Sequence, residues 1–528
     1  MAPATANALL VTMALLLLVV LLYRKNSVKT KNRKQRQLPP GPATLPVIGS
    51  IHQMLMNKPV FRWIHHLLDE MDTEILCLRL GLVHVITVSS PEMAREVLRT
   101  NDAVLASRPA SFAAKSLSFG YKNTIMSPVG DQWKKMRRVL ASEVLSPSME
   151  RRMLGRRVEE ADHLVSYVYN LCIKKPLGSI DVRHVARHFC GNIIRRLVFG
   201  KRNFFQPTAD SAVGPGRCEE AQVDALFTAL DYLGAFSISD YFPALVGLDV
   251  DGHGEVVNGL MRTFTRLHDP IIEERVEEWR ALRDGGKKKE VGDFLDVLVS
   301  LEDEEGQPLL TVEEIKAETL EITLATVDNP SNAVEWALAE MVNNPGVMKK
   351  AIEEIDEVIG KERLVQESDI GNLNYLKACI REAFRIHPYH PFNPPHVAIV
   401  DTTIAGYLVP EGSHVMLSRI GLGRNPKVWD NPLEFQPERH LSNADVVLAE
   451  PELRFISFSA GRRGCPAVSL GTSITMMLFA RLLQGFTWSK PPCVDKIELQ
   501  ESATSLTLYK PLVLQAKPRL SLHLYEGK

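Results

Sequence analysis

The chain has 528 residues, 62 Lys and Arg against 63 Asp and Glu, and a formal net charge of −1. Its apolar and charged fractions, 45% and 24%, are those of a globular protein, and the near-neutral balance argues against a general role in binding nucleic acid. Seven cysteines lie scattered without C-x-x-C pairs, which argues against a disulfide framework and suits a reducing compartment.

Ala8 to Tyr23 is almost wholly apolar, and Ala2 to Ala6 can extend it towards the roughly 20 residues a membrane span needs. No basic residue precedes this run. Arg24, Lys25, Lys29, Lys31, Arg33, Lys34 and Arg36 follow it, and the first acidic residue is Asp69. A cleaved signal peptide needs the opposite flank, so the pattern predicts a retained anchor with its N-terminus in the lumen and the body in the cytosol. The basic tract should touch anionic lipid headgroups. Leu38-Pro39-Pro40-Gly41-Pro42 is a stiff breaker, because proline fixes φ and holds its predecessor extended. The expected division is therefore 1–23 anchor, 24–42 basic linker and proline hinge, and 43–528 main domain.

Leu76 to Val88 alternates in β-branched fashion around Gly81 and reads as a hairpin. Asp131 to Val144 reads as a helix. Trp133 and Arg137 share one face, where an indole N–H and a guanidinium can bind a carboxylate; a core Trp beside a surface Arg is the plainer reading. Lys134, Lys135 and Arg138 lie off that face and should be solvent-exposed. Gln206 to Arg217 reads as a loop, and the Lys-rich run Asp284 to Glu290 as solvated surface.

Thr311 to Asn343 is the longest helical pattern. Thr311 and Glu314 form a capping box, and Asn344-Pro345 ends the helix. Within it, Pro330 cannot donate to the Thr326 carbonyl and should kink the helix beside Thr326, Asp328 and Asn329. A packing kink would explain this, but a polar break in the longest helix suits a small-ligand site better.

Ser368 to His387 reads as another helix, with Glu382 and Arg385 three apart, a spacing that is by default only a surface pair. Ala398 to Ile404 is strand-like and follows His396. Val415 to Leu417 and Leu506 to Gln515 read as strands of a satellite sheet. Last comes Phe458-Ser459-Ala460-Gly461-Arg462-Arg463-Gly464-Cys465, just ahead of the apolar helix Val468 to Phe486. A cysteine at a helix N-terminus meets free N–H groups and the positive end of the macrodipole, which should lower its pKa and favour the iron-ligating thiolate. Gly461 and Gly464 allow close approach to a flat cofactor, Phe458 can pack under its ring, and Arg463 can pair with a propionate.

Phe-x-x-Gly-x-Arg-x-Cys resembles the signature of the cytochrome P450 monooxygenases. Trp133-x-x-x-Arg137 is similar to that family's C-helix, Glu382-x-x-Arg385 with Arg439 to its K-helix cluster, and His396 stands where members place a propionate-binding residue. The resemblance implies a mainly α fold with small β-sheets behind an N-terminal transmembrane helix. It also implies haem b ligated by Cys465, and electrons from NADPH–cytochrome P450 reductase. The expected setting is the endoplasmic reticulum membrane, single-pass, with the catalytic domain cytosolic. The Glu382–Arg385–Arg439 cluster would be structural.

A narrower resemblance rests on Asp328-Asn329-Pro330-Ser331-Asn332, Phe392-Asn393 with Pro395-His396-Val397, and Glu438-Arg439-His440. These are similar to the plant amino-acid N-monooxygenases that make aldoximes, the tyrosine and phenylalanine enzymes above all. The implied reaction is two N-hydroxylations of an L-amino acid followed by loss of water and CO2. Its product would feed cyanogenic glucoside, glucosinolate or other aldoxime-derived metabolism. Asp328, Asn329 and Thr326 are the candidates for ordering the proton-delivering water, with Asn329 where the family usually has threonine. By the same resemblance the segments Phe119 to Ser127 and Ser502 to Leu508 should line the pocket. Lys122 either meets the substrate carboxylate or is a solvated loop lysine. The alternatives are another amino-acid substrate, or a reductase-independent isomerase or dehydratase.

Overall fold

The computed structural model describes residues 37–526, apart from 175–177, 205–213, 243–244, 246–247, 288, 442–444 and 493. The expected anchor, Ala8 to Tyr23, lies outside the described residues, as does most of Gln206 to Arg217. Among the described residues no helix is long and apolar enough to cross a membrane.

The fold is mainly helical with small sheets. The first sheet holds strands β1 (Ile75–Leu80), β2 (Val83–Val88), β4 (His396–Val397) and β7 (His414–Leu417), in the order β1-β2-β7-β4. Gly81 turns the β1–β2 hairpin at φ 58°, a left-handed conformation that glycine adopts without strain. The proline breaker is pinned against this sheet. The Cys77 N–H donates to the Pro40 carbonyl at 2.7 Å, and a Cβ at Gly41 would overlap the Cys77 carbonyl oxygen. The Leu408 N–H donates to the Gln37 carbonyl at 2.9 Å, so the proline hinge lies against the main domain.

A second sheet joins β3 (Ser179–Asp181), β9 (Val513–Pro518) and β8 (Phe486–Ser489), and β5 (Thr402–Ile404) pairs with β6 (Tyr407–Val409). Two strand expectations need correction. Val415 to Leu417 belongs to the first sheet, where β7 runs parallel to β2. Ala398 to Ile404 is not one strand: residues 398–401 leave the sheet between β4 and β5.

Six helices place the site: α1 (Asp131–Val139), α2 (Val182–Phe199), α3 (Arg217–Leu233), α4 (Val312–Asn343), α5 (Asn374–Ile386) and α6 (Val468–Gly485). α1 continues as a wider π-type turn through Val144. α4 is the central beam, buried from Glu314 to Val342 except around its middle, and it packs on α2, α3, α5 and α6. Both halves of the Thr311–Glu314 capping box are present. α4 runs unbroken through Pro330, and Pro345 starts the next helix at once. Trp336, wholly buried, stacks on His387 at 3.8 Å and donates its indole N–H to the Leu506 carbonyl at 3.1 Å. The expected helix from Ser368 is instead a 3-10 segment, Glu367–Asn372, followed by α5.

Candidate active site

The cysteine loop is shaped by its own backbone and by a segment far away in sequence. The Cys465 N–H donates to the Phe458 carbonyl at 2.8 Å and the Gly464 N–H to the Gly461 carbonyl at 3.0 Å, closing a tight turn. Gly461 sits at φ 73°, and a Cβ there would overlap the Leu98 carbonyl oxygen. Asp102 holds the loop from the same side, accepting from the Arg462 backbone at 3.1 Å and its side chain at 3.2 Å. Phe458 packs edge-on against Phe384 and beside Gly471.

Cys465 precedes α6, and the Ala467 N–H points at its Sγ from 3.3 Å. The expectation of a lowered pKa needs correction. Burial pushes the thiol up, and the Ala467 N–H, Arg137 and Arg419 only partly oppose it. Removing a thiolate from water outweighs one N–H and two nearby guanidinium groups.

α1 approaches the loop as its shared face requires. Arg137 donates to the Gly464 carbonyl at 2.7 Å. Trp133 is buried, and its indole N–H has no partner among the described residues. Arg463 lies 4.5 Å over the Trp133 ring and donates to the carbonyls of Ala106 (2.6 Å), Thr124 (3.0 Å) and Ser127 (2.6 Å), leaving two of its five N–H groups. Burial lowers its pKa to about 10, so it stays cationic near neutrality. His396 donates from Nδ1 to the Leu105 carbonyl at 2.8 Å, and burial, with Arg108 nearby, lowers its pKa to about 3.

Mid-way along α4, Ala325 is exposed and Thr326 and Asn329 half-exposed, between the buried Leu324 and Val327. This face of the helix is therefore accessible rather than packed, and borders open space. Thr326 back-bonds to the Ile322 carbonyl at 2.8 Å. Asp328 is turned towards His390, 3.2 Å away, and accepts from the Asn329 amide at 3.1 Å. A thiol at a helix start, an unpartnered buried indole N–H, a cationic rim and an internal helix face with small polar groups fit a flat, anionic, iron-bearing cofactor.

Glu382, Arg385 and Arg439 do come together. Arg385 grips Glu382 at 2.7 and 2.8 Å, and Arg439 reaches it at 3.0 Å. His440 completes the cluster at 2.7 Å from Glu382. Burial raises the Glu382 pKa, but the Arg385 and His440 hydrogen bonds override it and hold it at about 2. Neutral His440 serves as the donor through Nε2, because its Nδ1 is buried without a partner.

Lys135 corrects another expectation: it is half-buried and paired with Glu314 at 2.8 Å, whereas Lys134 and Arg138 are exposed. Lys122 lies 3.7 Å from Glu313 on α4. A cavity of about 290 Å³ is lined by Arg187, Asp231, Phe227, Tyr389, Ser505 and Thr507, so part of the expected Ser502 to Leu508 region does border open space.

Sequence reasoning missed four polar groups here, three of them buried. Arg108 donates to the Pro394 and Pro395 carbonyls at 2.9 Å. Glu318 and Glu321 face the loop before α1. Thr124 donates to Glu318 at 3.0 Å and the Ile125 N–H to Glu321 at 2.7 Å. Burial lifts the Glu321 pKa to about 7. The Glu-x-x-Glu spacing inside an apolar helix was the available signal. The fourth is Arg419, held between Asn393 and Asn329.

The cytochrome P450 family model matches residues 39–516, and the chain belongs to that family. It is a haem-dependent monooxygenase that takes NADPH-derived electrons through a reductase. Tyrosine N-monooxygenase of Sorghum bicolor is 59% identical over 492 residues, covering 92% of this chain and 87% of that protein. Tryptophan N-monooxygenase 1 of Arabidopsis thaliana is 51% identical, covering 97% and 94%. Valine N-monooxygenase 2 of Manihot esculenta is 50% identical, covering 99% and 95%.

Proposed function

We propose that this protein N-hydroxylates an L-amino acid twice and releases the (E)-aldoxime with loss of CO2 and water, with an aromatic side chain, tyrosine or phenylalanine, favoured. The observation that carries this reading is its similarity, over nine tenths of the chain, to an enzyme acting on tyrosine.

Cys465 would hold the haem iron through its thiolate. Haem b supplies the oxygen activation when bound. Trp133, Arg137, His396 and Arg463 would hold the propionate side, an assignment that the unpartnered Trp133 N–H supports. Phe458 would pack against the macrocycle. Asp328, Asn329 and Thr326 on α4 order the water that delivers protons. Glu382, Arg385 and Arg439 hold the chain that leads to the cysteine loop. An ion-pair network this deeply buried is structural, because breaking it strands a charge.

Residues 1–23 anchor the protein in the endoplasmic reticulum membrane, residues 24–42 form the basic linker and hinge against lipid, and 43–528 form the cytosolic catalytic domain. The test is to supply amino acids and NADPH to microsomes holding the protein and the reductase. NADPH-dependent oxime from an aromatic amino acid is the expected result. Turnover without reductase, or no oxime from any amino acid, overturns the reading.

A further inference from the structure

Among the described residues the Arg419 guanidinium is held by amide oxygens rather than by a carboxylate. The residue opens a five-residue helix, Arg419–Gly423, directly after β7. Its backbone N–H is fixed by the Pro391 carbonyl at 2.9 Å. Its Nε–H donates to Asn393 Oδ1 at 2.9 Å, and Nη1 reaches Asn329 Oδ1 at 3.4 Å. Asn393 is fixed in turn by donating to Ser459 Oγ of the cysteine loop at 3.2 Å. Nη2 has no partner, and Arg419 makes no ion pair among the described residues. The carboxylates and thiol nearest in charge are Asp328 and Cys465. Asp328 is already engaged by His390 and Asn329.

Arg419 is half-buried, and its contact with Asn329 and the Asn393–Ser459 link set it beside the accessible face of α4 and the cysteine loop. A desolvated guanidinium without an anion is costly, and the planar fork suits a carboxylate. Both amide neighbours present oxygen to it, which positions the group without neutralising it.

We infer that Arg419 binds the α-carboxylate of the amino-acid substrate, and so selects amino acids over the corresponding amines. This rests on the amino-acid reading above. Holding the carboxylate beside Asn329 sets the α-amine over the reactive face while two amide side chains keep the guanidinium still. Lys122, paired with Glu313 at the other end of α4, is not needed for this role.

The test compares three probes on the full-length haem-loaded protein by spectral titration: L-tyrosine, its methyl ester and tyramine. The wild type should bind the acid at least about tenfold more tightly than either analogue, the scale of one charge-assisted contact. Arg419→Gln should reduce acid binding to the level of the ester and leave ester and tyramine binding unchanged. Arg419→Lys should recover part of the difference. The reduced carbon-monoxide spectrum, recorded for each protein, should stay that of a thiolate-ligated haem.

Equal weakening of all three probes, or loss of that spectrum in Arg419→Gln and Arg419→Lys alike, makes Arg419 a structural or haem contact and overturns the inference. Acid-selective loss in Arg187→Gln instead would move carboxylate recognition to the cavity beside Tyr389. If the wild type neither binds nor oxidises any L-amino acid, the amino-acid reading itself has failed and this inference falls with it. A wild type that makes oxime but does not discriminate against the ester overturns this inference alone.

Discussion

Arg137 Nη2 lies 2.7 Å from the Gly464 carbonyl oxygen, 327 residues further along the chain, and thereby ties α1 to the residue before Cys465. One turn back on the same face, the Trp133 indole N–H is buried with nothing to bond. A single helix face thus makes one contact within the protein and keeps one donor in reserve.

That division separates the two side chains experimentally. Trp133→Phe removes a donor the protein does not itself use, so folding should lose only about 1–2 kcal/mol, from ring volume. Haem retention should fall about tenfold, the scale of one charge-assisted hydrogen bond. Arg137→Ala should lower both, because it also frees the Gly464 carbonyl. Haem-to-protein absorbance ratio and apoprotein melting temperature are the two measurements.

Glu382 is the charge on which two arginines converge. Glu382→Gln leaves Arg385 fully buried without its anion and should cost about 3–5 kcal/mol, enough to abolish folded protein. His440→Ala should cost about 1–2 kcal/mol, as one hydrogen bond to a charged group. Because the folded-state pKa of Glu382 is depressed to about 2, its stabilisation is present above the unfolded carboxylate value. It is lost as pH falls from about 4.3 towards 2. A denaturant series across that window should show stability falling with pH in the wild type.

How much of this was legible in the sequence follows from range. The Thr311–Glu314 capping box, the β1–β2 hairpin and the cysteine before α6 depend on neighbours within a few residues, and local spacing reports those. Glu382 with Arg385 was legible as a spacing, but His440 joined it only through the fold. Arg108 and Asp102 act on backbone hundreds of residues away, and Arg419 on amides 26 and 90 residues away, and no periodicity encodes such partners. The thiol pKa was misjudged for the same reason: the helix terminus is visible in sequence, whereas the burial that outweighs it is not. Val415 to Leu417 was assigned to the wrong sheet because strand propensity does not name a partner, and here the partner, β2, is 329 residues earlier in register.

Lys134 and Arg138 are the exposed cations of α1 on the face turned away from Arg137. Reversing both should raise the reductase concentration for half-maximal rate and flatten its decline with salt, since exposed charges steer encounter. Lys135→Glu should act differently: it sets two acids together at the Glu314 cap and should lower melting temperature. Unchanged reductase titration in the double reversal would leave these residues as solvated surface.

Deleting residues 2–36 should release protein from membranes and keep its melting temperature, because among the described residues the first backbone bond to the domain is made by Gln37. Deleting 2–42 should lower it, by removing the Pro40–Cys77 bond as well. Carbonate-resistant membrane association equal to full length after the shorter deletion would show that Ala8 to Tyr23 is not the anchor.

Asn329 donates to Asp328 and accepts from Arg419, so it links the acid and the guanidinium beside the cavity. Threonine is too short to keep both contacts. Asn329→Thr, although it restores the residue usual in the wider family, should therefore uncouple NADPH consumption from oxime formation. Pro330→Ala should do likewise by restoring a backbone donor inside α4. Peroxide release, followed in parallel, should rise in both. Wild-type coupling in both variants would make the pair structural.

The most direct test is the balance of the reaction itself. With 15N-labelled L-tyrosine or L-phenylalanine, purified protein and reductase, NADPH oxidised, CO2 released and oxime formed are counted together. Two NADPH per oxime, one CO2 per oxime and full retention of 15N in the product are the expected result. Oxime formed without NADPH, or a product hydroxylated on carbon with its carboxylate intact, would contradict amino-acid N-hydroxylation.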